Sequence, residues 1–233
     1  TAAGSLEIGD KETGVSSITF NADGSKMYVA GSAGDDINEF DMENNFNIIP
    51  DLQFGNLEGL TIDDSDNIVI VDKGDAEIIK VSQDETILLN VTGFTAPRDV
   101  AIDSDGNIYA TEANSGNVTK LDNTGVQLWS IGGNGTADGK FNEPTGIDID
   151  AAGNVYIADT GNDRLQKIDS DGTVLNTFDA SDGDGLSNPT GLAIKDDGTI
   201  IVAESIGDQI SEIQTTANFE TSYGNSTYGD FTV

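Results

Sequence analysis

Four carboxylates in this chain recur at one place in a repeating pattern. Asp72, Glu112, Asp159 and Glu204 each precede an apolar residue by six, namely Ile78, Val118, Leu165 and Ile210. Gathered near a central channel, such a set could offer the hard oxygen ligands that suit calcium. The same recurrence suits a structural role, each carboxylate accepting hydrogen bonds from turn amides, and this is the more economical reading of one residue type repeated in register. A second acidic group is local. DASDGDGLSN, residues 179 to 188, places Asp179, Asp182 and Asp184 in one loop, where two carboxylates and a backbone carbonyl could wrap a calcium ion. It lacks the DxDxDG spacing and distal Glu of an EF-hand loop, and the same segment of the preceding unit, GGNGTADGKF, needs no such ligands. The turns around Asp103 and Asp105 and around Asp169 and Asp171 read more simply as hairpins whose aspartates cap nearby amides.

Absent residue types narrow the chemistry further. The chain has no Cys and no His. Disulfides, thiolate nucleophiles, the usual general base and the usual transition-metal ligands are therefore excluded. Catalysis by paired carboxylates needs two acids pushed to different pKa values, but acids are abundant here and no pair stands out by spacing. Ten Lys plus Arg against 42 Asp plus Glu give a formal charge of −32. That balance opposes binding to nucleic acid or to anionic bilayers, both of which recruit basic side chains. It also costs stability through self-repulsion unless salt or bound cations screen it. A salty or calcium-rich exterior suits such a surface. No stretch approaches the roughly 18 apolar residues of a membrane span, so no membrane insertion is expected. The opening TAAGSLEIGD shows neither the basic region nor the apolar core of a signal peptide.

The elements that must position these residues are legible in the repeats. PTGIDIDAAGNVYIADT from Pro144 returns as APRDVAIDSDGNIYATE from Ala96, LEGLTIDDSDNIVIVDK from Leu57 and PTGLAIKDDGTIIVAES from Pro189, with a looser copy, VSSITFNADGSKMYVAG, from Val15. The matching apolar residues Ile18, Leu60, Val100, Ile147 and Leu192 lie 42, 40, 47 and 45 residues apart. Within a copy the pattern alternates with period two, giving four short strands: GIDID, NVYIAD, RLQKID and VLNTF in the fourth. The links AAGN, SDGN, DDGT and ADGS supply the Gly or Asn that tight hairpins need for positive φ. One such sheet cannot bury both faces alone, so neighbouring sheets must stack, and repetition at this period closes into a radial β-propeller. The apolar alternates become the core between blades. Trp129, Phe94, Phe141, Phe178 and Phe219 fall near outer strands or inter-blade loops and read as packing.

At this level the residues resemble a known family. FNEPTGIDIDAAGNVYIADTGNDRLQKID is similar to a near-consensus NHL repeat, and IGGNGTADGKFNEP resembles the loop by which such repeats pass from one blade to the next. The resemblance covers residues 57 to 233, while ADGSKMYVAGSAGDDINEFD, within residues 14 to 56, is similar to YVTN-type surface-protein propeller repeats. It implies a propeller offering binding faces, with enzymes in only some branches. The family's Asn-x-Arg lead into strand three is met only by Asn162 and Arg164, with Asp36, Glu77, Asn117 and Gln209 at the other places of the arginine. Relatives that bind RNA resemble one another in a basic face, which acid replaces here. Amidating lyases of the NHL branch rely on metal-site histidines that this chain lacks, and the calcium ligands of propeller lactonases find no match.

The expected fold is therefore all-β, one propeller domain over residues 1–233 built of four-stranded antiparallel blades. Five repeats are visible, at about 14–56, 57–95, 96–142, 143–188 and 189–233, with 1–13 as a closing strand. A five-bladed ring and part of a six-bladed ring are both open. The function expected is that of a non-enzymatic extracellular or cell-surface module binding a protein or glycan, or serving a larger surface assembly. The alternative is a calcium-dependent, lactonase-like hydrolase or lyase acting in the central channel, with Asp179, Asp182 and Asp184 as metal ligands.

Overall fold

The computed structural model describes residues 15–31, 37–41, 45–49, 54–84, 86–179 and 185–214. The chain falls into two compact units, Thr1–Thr92 and Gly93–Val233. The first unit holds two sheets, β1 (Val15–Phe20), β2 (Lys26–Gly31), β3 (Ile37–Asp41) and β4 (Asn45–Ile49), then β5 (Leu57–Ile62), β6 (Ile68–Asp72), β7 (Glu77–Val81) and β8 (Ile87–Thr92). The second holds β9 (Pro97–Ile102), β10 (Ile108–Glu112), β11 (Asn117–Leu121) and β12 (Gln127–Gly132), followed by β13 (Pro144–Ile149), β14 (Val155–Asp159), β15 (Arg164–Ile168) and β16 (Val174–Phe178). Its last sheet is β17 (Pro189–Ile194), β18 (Thr199–Glu204) and β19 (Gln209–Gln214). Each sheet is antiparallel in simple chain order, so the five sheets are propeller blades and the fold is the β-propeller read from the repeats. The expected closing strand 1–13 and any fourth strand of the last blade lie outside the described residues. Among the described residues, no helix is long and apolar enough to cross a membrane.

Burial explains why the second strand of each blade carries the clearest pattern. IVIVD, IYATE and VYIAD are buried along their whole length, because both of their faces are covered. In the first unit Tyr28, Ala30 and Ile37 of the first blade pack on Leu57, Leu60, Ile68 and Ile70 of the second. In the second unit Tyr109 and Val118 pack on Ile147, Val155 and Ile157, and Tyr156, Ala158 and Leu165 pack in turn on Ile200, Val202 and Ile213. At roughly 1.5–3 kcal/mol for each large apolar side chain removed from water, these interfaces are the main stabilising contribution. The aromatics divide as their positions imply: Phe141 and Phe178 are buried in the core, Trp129 and Phe94 are half-buried, and Phe219 lies outside the described residues.

The hairpin between the first two strands is built the same way in the second, third and fourth blades, where Asp63, Asp103 and Asp150 hold the same place. Asp103 Oδ1 accepts from the amides of Asp105 and Asn107 at 3.0 and 2.9 Å, and Asp150 Oδ1 from those of Ala152 and Asn154 at 3.0 and 2.9 Å. Gly106 and Gly153 supply φ of +80° and +81° there, and in the second blade Asp66 takes the strained place at +58°. Asp169 caps its own turn alike, through the amides of Asp171 and Thr173. These aspartates therefore serve as turn caps.

Candidate functional site

The four recurrent carboxylates end the second strands of their blades, where the chain turns into the third. All four are buried. Asp72 accepts from the amides of Gly55, Asn56 and Asp75 at 2.6, 3.0 and 3.1 Å. Glu112 accepts from the Thr95 amide at 2.8 Å and Thr119 Oγ1 at 2.7 Å, and Glu204 from the Ser187 amide at 2.5 Å and from Ser211 Oγ. In each case a carboxylate reaches about seventeen residues back and ties down the segment that enters the blade's first strand. A buried donor left without a partner costs about 1–3 kcal/mol, which is why an acid recurs here. Of the two readings of this position, the geometry supports the structural one.

Around Asp159 the same device is most elaborate. Its carboxylate accepts from the Asn142 amide at 2.7 Å, Asn162 Nδ2 at 2.9 Å, Arg164 Nε at 2.7 Å and Gln166 Nε2 at 3.0 Å. Arg164, itself buried, extends Nη2 to the carbonyls of Ala137 and Lys140 at 3.0 and 2.9 Å, and Asn162 Nδ2 reaches the Gly135 carbonyl at 2.8 Å. The Asn-x-Arg pair thus fastens the loop that leads into this blade. Gly116 passes beneath that loop at φ +65°, where an added Cβ would stand 2.7 Å from the Phe141 carbonyl.

A second set of groups lies on the first strands of the blades and at the ends of the second strands, at positions that do not stand out in the sequence. In the second unit Asp99 Oδ2 accepts from the Ile147 amide of the next blade at 3.1 Å, and Asp148 Oδ2 from the Ile194 amide of the blade after at 2.8 Å. Hydroxyls continue the row: Thr111 Oγ1 donates to the Thr145 carbonyl at 2.5 Å, Thr145 Oγ1 to the Thr190 carbonyl at 2.8 Å, and Thr160 Oγ1 to the Pro189 carbonyl at 2.7 Å. Burial pushes the Asp148 carboxyl above its usual range against the bonds from the Ile149 and Ile194 amides. The available signal was an acid standing between two core isoleucines, Ile147 and Ile149.

The metal expectations divide. Asp182 and Asp184 lie outside the described residues, and Asp179 is half-buried at the end of the fourth blade. Elsewhere Asp72, Asp75 and Glu77 bring one carboxylate oxygen each within 4.8 Å of one another. Both Asp72 oxygens already accept backbone amides, so a cation there would compete with the fold.

Electrostatics follow from where the few bases go. Lys26, Lys73, Lys80, Lys120, Arg164, Lys167 and Lys195, seven of the chain's ten basic residues, sit in ion pairs within their own blades. Three of these pairs, Lys80 with Asp63, Lys120 with Asp103 and Lys167 with Asp150, tie the third strand to the turn cap of the first hairpin. In the fifth blade the same pair is reversed as Lys195 with Glu212. With its bases so engaged, the protein presents a strongly negative field.

Sheets in chain order, stacked apolar faces and a carboxylate clamp in four of the blades define a β-propeller. Residues 141–168 match the family model described as the NHL repeat, and the chain is a β-propeller carrying an NHL repeat. No curated protein matches the chain in sequence. Among solved structures it is similar to a streptogramin B lyase, with 18% identity, a TM-score of 0.76 and coverage of 96% of this chain and 70% of that one. It is similar also to virginiamycin B lyase from Staphylococcus aureus with quinupristin, at 18% identity and TM-score 0.75, over 98% and 73% of the two chains. A nidogen/laminin complex follows at 19% identity and TM-score 0.70, over 85% and 75%. At these identities the likeness is one of fold.

Proposed function

We propose that the protein is a non-catalytic propeller module of the cell exterior, which holds a protein or glycan partner or serves as a rigid piece of a larger surface assembly. The observation that carries this reading is the fate of the recurrent acids: Asp72, Glu112, Asp159 and Glu204 are buried and taken up by loop amides. The negative field favours a partner with a basic face and disfavours nucleic acid. The nidogen/laminin likeness supports the reading as an example of this fold in a protein complex.

A second reading, a calcium-dependent, lactonase-like hydrolase or lyase acting in the central channel, is favoured by Asp148, a half-buried carboxyl that burial pushes above its usual range although it accepts from the Ile149 and Ile194 amides. The likeness to the two lyases points the same way. Against it, a histidine-to-alanine form of the S. aureus enzyme is described as catalytically inactive, and this chain has no His. The two readings separate by calcium titration in a calorimeter followed by a panel of lactones and esters. The module reading expects no turnover and no tight stoichiometric calcium site. Tight one-to-one binding accompanied by turnover would overturn it.

A further inference from the structure

The outer strands of the blades depart from the rest of the chain in composition. NFNII, ILLNVT, QLWSIG and VLNTF hold no charged residue, in a chain of which 22% is charged. Sheet edges are ordinarily guarded by charge, so its absence sets the rim apart from a plainly solvated surface. In three blades the outer strand also breaks register at one place. Lys80 and Val81 face Leu89 and Ile87, Lys120 and Leu121 face Trp129 and Gln127, and Lys167 and Ile168 face Asn176 and Val174. The extra residue is Leu88, Leu128 or Leu175, and the three leucines are 53%, 52% and 51% exposed. A bulge re-aims the side chain it carries and turns the edge away from strand addition, so a contact here goes through side chains. One exposed leucine is ordinary, but a leucine held out at the same bulge of three blades is not. No missing neighbour accounts for it, since the fourth blade packs on described blades of its own unit on both sides.

In the second unit two of these leucines belong to one strip. The turn 169–173, which leads into β16, rests on the third blade: the Ser170 carbonyl accepts from Trp129 Nε1 and Lys120 Nζ, each at 3.2 Å, and a Cβ on Gly172 would stand 3.0 Å from Ile131 Cδ1. Leu128, next to Trp129 in the chain, and the exposed Val126 therefore adjoin the turn that precedes Leu175. Acids border the strip. Asp122 and Asp169 direct Oδ1 to the amides of their own turns, and Asp171 is exposed. Among the described residues none of these three is in an ion pair.

Resting on the reading of the protein as a partner-holding module, we propose that this rim strip is a docking surface, with Val126, Leu128 and Leu175 as its apolar contacts. Its occupant is a segment of another protein whose apolar side chains are flanked by lysine or arginine. Charge chooses this occupant. A second copy of the chain would bring the same aspartates against these, and an anionic bilayer would meet them no better. A basic apolar segment covers the leucines and sets its cations beside Asp122, Asp169 and Asp171. The pattern is not confined to this unit: in the first, Asp84 stands four residues before Leu88, as Asp171 stands before Leu175.

Trp129, the chain's single tryptophan, reports on the strip from within it. Its emission is titrated with two short synthetic peptides of equal charge, one of Leu-Lys-Lys-Leu repeats and one of Ser-Lys-Lys-Ser repeats. Each titration is run at low salt and at about 1 M NaCl, where the screening length falls to roughly 3 Å. The wild type binds the leucine peptide at both with a shift in Trp129 emission, and the serine peptide at low salt only. Leu128→Ser combined with Leu175→Ser, at exposed positions and checked for an unchanged β-sheet dichroism spectrum, weakens binding of the leucine peptide at least about 10-fold. Ile206→Ser, at an exposed apolar residue of the fifth blade, leaves it unchanged. No binding of the leucine peptide, equal binding of the two peptides at high salt, indifference to the double substitution, or an equal loss from Ile206→Ser overturns the proposal. Each of these outcomes leaves the module reading standing, which only calcium-linked turnover overturns.

Discussion

Replacing Asp159 by Ala tests the claim that the recurrent acids hold the blades together. The side chain is completely buried and takes bonds from one amide and three side chains, one of them the buried guanidinium of Arg164. Its removal leaves the buried Arg164 with neutral carbonyls and the exposed Asp138, 3.6 Å from Nη1, as its remaining partners, and breaking a buried ion pair from one side costs about 3–5 kcal/mol. For a chain of this size 1 kcal/mol corresponds to roughly 2–4 °C, so Tm should fall by roughly 6–20 °C. Urea unfolding at fixed high salt, followed by the fluorescence of Trp129, measures the loss while keeping the general repulsion screened. Asp196→Asn, which removes a charge at an exposed position, serves as the control and should stay within about 0.5 kcal/mol of wild type. Arg164→Met in the Asp159→Ala background should recover part of the loss, since neither charge is then buried alone. A cost below about 1 kcal/mol for Asp159→Ala, or strict additivity of the two substitutions, would refute the clamp.

Two further outcomes concern charge. Asp63, Asp103 and Asp150 are pushed up by burial, but the bonds from the side chains and amides of Asn67, Asn107 and Asn154, with Lys80, Tyr109 and Lys167 beside them, more than offset this and leave each carboxyl below its ordinary value of 3.8. A depressed folded value stabilises the fold above the unfolded value and loses that contribution as pH falls through the folded one, whereas Asp148, raised, behaves oppositely. Stability should therefore decline as pH drops below about 4, and a carboxyl titration by NMR should place Asp148 above and Asp103 and Asp150 below the ordinary value. The reverse order would contradict these environments. Separately, Tm should climb with added NaCl or CaCl2, because so acidic a surface is strained by its own field; a flat response would remove the electrostatic part of the argument.

Much of this was legible in the chain itself. The period of 40 to 47 residues, the alternation within each copy and the Gly or Asn in the links pointed to stacked antiparallel blades, because IVIVD and VYIAD need cover on both faces and the repeat offers only further sheets of its own kind to give it. The turn aspartates were legible for the same local reason, since an Asp two residues before an amide caps it wherever the turn forms. The site was harder to read. A carboxylate after the second strand could have faced a channel or a loop, and both leave the same letters at the same spacing. Only the folded chain shows Asp159 turned onto Asn142, seventeen residues upstream, and Asp99 bonded to Ile147, 48 residues downstream. Sequence spacing fixes which face of a strand a residue occupies, because the pleat has period two. Which distant amide lies within 3 Å of its oxygen depends on how neighbouring blades are set against each other, and that is decided by packing alone.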